Sequence, residues 1–177
     1  MITTKRLLPA VPVMVVLFTA LLSACGFHLR GNVELPPILK VTLLQSRDLW
    51  GGIAAALRTE LESAGARVTT KSDEATAVLK LTGERSQRRV LSVGTGGTAS
   101  EYELFEEVTF AVYDNEGREL LKPQTLNLTR DLVFNENQLL GKVSESDELR
   151  EQMRRTLARQ IITRILTGLQ AHESAAP

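Results

Sequence analysis

Two periodicities divide this chain of 177 residues. In some segments apolar and polar residues alternate, and in others apolar residues recur every three or four positions. Alternation sends successive side chains to opposite faces of a strand, whereas the longer period gathers them on one face of a helix. Over residues 38–45, Leu39, Val41 and Leu43 alternate with Lys40, Thr42 and Gln45, which predicts a first strand. From Trp50 the period lengthens: Ile53, Ala54, Leu57, Leu61 and Ala64 predict an amphipathic helix, with Gly65 as its C-terminal cap. Ala77, Leu79 and Leu81 predict a second strand over 76–82 that extends through 84–93. Residues 94–97 form a glycine-rich turn. The strongest strand follows over 102–113, with Tyr102, Leu104, Val108, Phe110 and Val112 on one face. Glu106 interrupts that face, and the pattern leaves open whether it marks a bulge, a rim or a partner. Residues 114–117 are a tight hairpin connection, and 119–134 return as a strand with Leu126, Leu128 and Leu132 aligned. After a polar loop over 135–141, Ser144 with Asp147 three residues on predicts a capping-box-like helix start. The stripe of that last helix is Leu149, Met153, Leu157, Ile161, Ile165 and Leu169, widened by Ile162 and Leu166.

The predicted order is therefore βαβββα. Two amphipathic helices need a surface to cover, and a sheet with one apolar face supplies it. The expected fold class is α+β: a two-layer sandwich of two helices on one four-stranded sheet, built by residues 38–170. Residues 171–177 read as a small, polar, disordered tail.

The N-terminus changes the picture. Lys5 and Arg6 precede an apolar run from Leu7 to Leu22, which is the layout of a secretory signal over residues 1–24. The run is short and interrupted by Pro9 and Pro12, which argues against a spanning helix. It ends in Leu22-Ser23-Ala24-Cys25, which looks like a bacterial lipobox, and Cys25 is the only cysteine. The expectation is a mature chain that starts at an acylated Cys25 and reaches its domain through a tether over 25–37. With that thiol acylated, none is left for a disulfide, a metal or a nucleophile. Removing the signal leaves 19 basic against 21 acidic residues, formally −2. No global positive field attracts nucleic acid, so an anionic ligand has to be met by a local cluster.

Catalytic chemistry is scarce. The two histidines are His28, beside the anchor, and His172, in the tail. No G-x-S-x-G or H-E-x-x-H pattern occurs, and the glycine-rich turn lacks the Gly-Lys-Ser/Thr and following helix of a phosphate loop. The expectation is no catalytic residue, no metal and no cofactor. Most arginines of the last helix alternate with Glu148 and Glu151, as on a solvated helix face. Arg85, Arg88 and Arg89 have no carboxylate between them, and Lys142 stands alone in the loop before the helix. Positive charge at strand ends can meet an anionic head group, although plain solubilising charge accounts for it equally well.

The block Cys25-Gly26-Phe27-His28-Leu29-Arg30-Gly31 resembles the start of mature proteins of the LPS-assembly lipoprotein family LptE. The likeness continues in Glu101-Tyr102-Glu103, in Arg130 and Phe134-Asn135, in Lys142, and in a last helix rich in Arg and Ile/Leu. It implies a Gram-negative outer-membrane lipoprotein, anchored through acylated Cys25 and facing the periplasm. It also implies that the protein plugs the lumen of the LptD β-barrel, supports its assembly and binds lipopolysaccharide. Lys142 matches a basic position that approaches the lipid A phosphates. Thr95 stands where the family has another, with Arg88 and Arg89 a few residues upstream as substitutes. The rival expectation is a periplasmic lipoprotein that pilots a different outer-membrane complex.

Overall fold

The structure, a computed structural model, describes residues 35–93, 99–133 and 139–175. The signal, Cys25, most of the tether, the 94–97 turn and most of the 135–141 loop lie outside the described residues. The elements run β1 (Val41–Gln45), α1 (Gly52–Ser63), β2 (Arg67–Thr69), β3 (Ala77–Val93), β4 (Ala99–Asp114), β5 (Glu119–Val133) and α2 (Leu139–Ala175). They form one five-stranded sheet in the order β2-β1-β3-β4-β5. β1 runs parallel to β2 and β3, whereas β3–β4 and β4–β5 are antiparallel.

The class is α+β as expected, but the sheet has five strands and not four. The extra one, β2, spans three residues, too few to show alternation. Its position is set by the end of α1. There Gly65, at φ 90°, lets its own N–H reach the Glu62 carbonyl and the Ala66 N–H reach that of Leu61. This closure turns the chain straight back alongside β1. Three other boundaries differ from expectation. Residues 38–40 are not strand, because Pro37–Leu39 forms a 3-10 turn in which Pro37 takes the first position. α2 begins at Leu139, so Ser144 lies inside the helix and not at its cap, and Lys142 is helical and not in a loop. Gly141 alone is too weak a breaker to delay the helix. At the other end α2 continues through Ala175, well into the segment expected to be tail.

Both helices lie on one face of the sheet. Ile53, Leu57 and Leu61 of α1 meet Leu157, Ile161 and Ile165 of α2 over Leu44, Leu79, Val108, Phe110 and Val112, all within one buried cluster. Truncating any of the larger side chains to alanine costs about 2–5 kcal/mol. α2 lies over β4 and β5, and its Gly168 passes so close to Leu121 that a Cβ there would sit 2.4 Å from Leu121 Cδ1. β1 stops pairing with β3 at Lys80, so from there to Val93 β3 continues as a free edge, and its residues 85–91 are all exposed. The sheet thus has a packed end near the tether and a long three-stranded extension away from it.

Candidate functional site

The extension opens with a bulge. Thr82 pairs with Thr109 and Arg85 with Glu107, so Gly83 and Glu84 together face Val108 alone. Gly83 sits at φ 62°, where glycine avoids the clash that other residues suffer, and a Cβ on it would lie 3.3 Å from Thr109 Oγ1. One inserted residue reverses the strand's parity. Before the bulge Ala77, Leu79 and Leu81 face the helices; beyond it Ser86, Arg88 and Val90 share the face of Glu106, Leu104 and Tyr102.

That reversal divides the basic cluster. Arg85 and Arg89 emerge on the face away from the helices, about 13 Å apart along the strand, and Arg88 emerges on the other. The carboxylates missing between them in sequence come from β4. Arg85 lies 3.5 Å from Glu107, and Arg89 lies 3.5 Å from Glu103 and over the Phe105 ring at 5.2 Å. Arg88 stacks on Tyr102 at 4.8 Å. The cluster is thus balanced across strands and not uncompensated. The side chains of Arg85 and Arg89 stay more than half exposed, at 56% each. Exposed pairs of this kind contribute about 0–1 kcal/mol, so a more highly charged anion can displace the carboxylates. The Lys142 side chain lies outside the described residues. Its backbone belongs to the first turns of α2, twelve residues before Arg154, which at 1.5 Å per residue places it about 18 Å further toward the tip.

Glu106 is resolved by position: it belongs neither to the bulge nor to an outer rim. It is 2% exposed and lies beneath α2, where it accepts a hydrogen bond from Ser86 Oγ at 2.6 Å and faces Arg154 Nη2 at 3.5 Å. The Nε atoms of Arg150 and Arg154 are buried there without a partner. Alternation had flagged the glutamate but could not name an arginine 48 residues away. The sequence reading also passed over an apolar tip. Val90, Leu91, Val93 and Val133 are 51–62% exposed, and the run Val90-Leu91-Ser92-Val93 beside a free edge was the signal for it.

At the tether end the hairpin is locked by Asp114. Its Oδ1 accepts the N–H groups of Glu116 and Arg118 at 2.9 and 2.8 Å, and its Oδ2 accepts Arg118 Nε at 2.6 Å. Burial alone would raise this carboxyl, but these donors outweigh it and hold the group below its ordinary range. Among the described residues no helix is long and apolar enough to cross a membrane, and no cluster of metal-ligating side chains occurs.

A lipoprotein-like domain with a bulged, basic hairpin now has a family. The family model "LptE: Lipopolysaccharide-assembly" matches residues 40–165, from β1 into the packed part of α2. This chain belongs to the LptE family. Among curated relatives, the LPS-assembly lipoprotein LptE of Yersinia enterocolitica is 31% identical over 86% of this chain and 72% of its own length. That of Photorhabdus laumondii is 29% identical over 97% and 91%. Among solved structures, an uncharacterized lipoprotein B from Nitrosomonas europaea superposes with a TM-score of 0.66 at 28% identity, covering 83% of this chain and 97% of that one. The rare lipoprotein B from Shewanella oneidensis gives 0.57 at 27%, covering 76% and 96%. The LptE family is non-enzymatic, so the sparse catalytic inventory of the sequence belongs to an assembly protein.

Proposed function

We propose that this LptE-family lipoprotein is held by acylated Cys25 at the periplasmic side of the outer membrane, occupies the lumen of an LptD-like β-barrel and supports its assembly. We propose also that it binds lipopolysaccharide through Arg85, Arg88, Arg89 and Lys142. The observation that carries the reading is the family match over residues 40–165, from β1 into α2. Physical features support its parts. A barrel lumen is polar and wet, and the exposed positions of β5 include Lys122, Thr125, Asn127, Thr129, Arg130 and Asp131 and are apolar at Pro123 and, at the tip, Val133. A guanidinium stacked on an aromatic face, as Arg88 is, uses its plane and keeps its N–H rim for a phosphate. Arg85 and Arg89 hold their carboxylates loosely enough to exchange them.

Two measurements test this. A tagged full-length protein solubilised from outer membranes is expected to bring down one large barrel in stoichiometric amount; recovery of a secretin or a peptidoglycan factor instead refutes the partner. Changing Arg88, Arg89 and Lys142 to glutamine is expected to weaken lipopolysaccharide binding at least tenfold, with an unchanged melting temperature. Equal affinity in the triple variant removes the basic residues from the site.

A further inference from the structure

The single tryptophan of the chain is also the most exposed large apolar side chain among the described residues, 79% accessible. Exposed apolar residues are ordinary when they are loose. Trp50 is not loose. Its backbone N–H and that of Gly51 donate to Asp48 Oδ1 at 3.1 and 3.0 Å, and Ser46 Oγ accepts the Asp48 N–H at 3.2 Å. Arg58, near the middle of α1, places its guanidinium carbon 4.1 Å from the indole centroid and donates to the Leu49 carbonyl at 3.0 Å. One face of the ring is therefore fixed against a cation, and most of its remaining surface is offered to solvent.

Beside it runs an open groove of about 740 Å³ between α1 and β2. That volume falls within the roughly 300–1,000 Å³ of ligand sites. Its walls are Arg58 and Glu62 of α1 and Arg67, Thr70 and Glu74 of β2 and the loop after it. Glu74 is fixed in place by Arg67 at 2.6 Å and Lys71 at 2.9 Å, and these two cations hold its carboxyl below the usual range. Three ligand classes fit poorly. An apolar molecule meets only Trp50 and Val68, an anion meets two carboxylates, two cations already engaged by one of them and a third, Arg58, held on Trp50 and the Leu49 carbonyl, and an added strand meets an edge of three residues. A pyranose fits. Its C–H face lies flat on an indole, and its paired hydroxyls bridge guanidinium and carboxylate groups that alternate along a groove.

We infer that the Trp50–Glu74 groove is a saccharide-binding site for a chain of pyranose units. Two envelope glycans carry that chemistry, the core oligosaccharide of lipopolysaccharide and the glycan strand of the wall. The inference stands apart from the basic hairpin, since none of its residues is shared with it.

Because Trp50 is the only tryptophan, its emission reports this groove alone. The experiment titrates the full-length lipoprotein in detergent with lipid-free core oligosaccharide and, separately, with peptide-free glycan strands. A saturable change in emission with at least one of them is expected at concentrations up to about 1 mM. By calorimetry, Trp50→Ala is expected to weaken that binding about tenfold or more, while Trp50→Phe keeps part of it and Arg88→Gln leaves it unchanged. The saccharide that binds identifies the source. No saturable change with either, or equal affinity in Trp50→Ala, overturns the assignment.

Discussion

The buried pair under α2 allows the sharpest test of how the extension is held. Replacing Arg154 by methionine keeps an unbranched side chain, two atoms shorter, and removes its charge, which leaves Glu106 with the Ser86 hydroxyl as its hydrogen-bond donor. Removing one member of a fully buried pair costs about 3–5 kcal/mol. Here the separation is 3.5 Å and the Arg154 side chain is 25% exposed, so water partly screens the charge. The expected loss is about 2 kcal/mol. With a urea m-value near 2 kcal/mol/M, the unfolding midpoint should fall by about 1 M at unchanged slope. The second half of the prediction concerns the pair. Glu106→Leu combined with Arg154→Met removes both buried charges and fills the layer with carbon beside Leu104, Leu132 and Met153. It should recover at least half of the loss, because the cost lies in the stranded carboxylate and not in a missing attraction. A single variant that unfolds at the wild-type midpoint, or a double variant no better than the single one, refutes this account.

Other outcomes follow from the same geometry. Gly83→Ala forces a Cβ into a left-handed conformation 3.3 Å from Thr109 Oγ1. It should cost about 1–2 kcal/mol in thermal unfolding, whereas Gly117→Ala, which meets nothing within 4 Å, should cost less. Asp114 has a folded pKa depressed below its ordinary 3.8. Its contribution is therefore complete above that value and disappears as pH falls through the lower, folded one. Stability measured against pH should lose less on acidification in Asp114→Asn than in the wild type, and equal acid profiles would show that the carboxylate does not stabilise the turn.

Much of the fold was legible because it rests on local periodicity. The stripe of α2, the Gly65 stop, the alternation of β3 over Ala77, Leu79 and Leu81 with its extension to Val93, and the 114–117 hairpin are each set by residues close in sequence, and all recur in the structure. The misses share a cause. β2 is too short to carry a period and exists because β1 offers it hydrogen bonds. The start of α2 was read from a capping pattern, Ser144 with Asp147, that a helix already begun at Leu139 leaves unused.

The candidate site shows the same division more strongly. Lipobox, basic residues and an interrupting glutamate are all visible as letters, and the family resemblance rested on such letters. What they touch was decided by registration across strands. The Gly83 bulge shifts parity by one residue, and that shift sends Arg88 to one face and Arg85 and Arg89 to the other, each against a glutamate contributed by β4. The partner of Glu106 comes from a helix 48 residues later. Period and composition determined which elements form and which face each buries, since those depend on neighbours along the chain. Charge pairing, the apolar tip and the tryptophan shelf depend on neighbours across it, and only the folded arrangement brings those together.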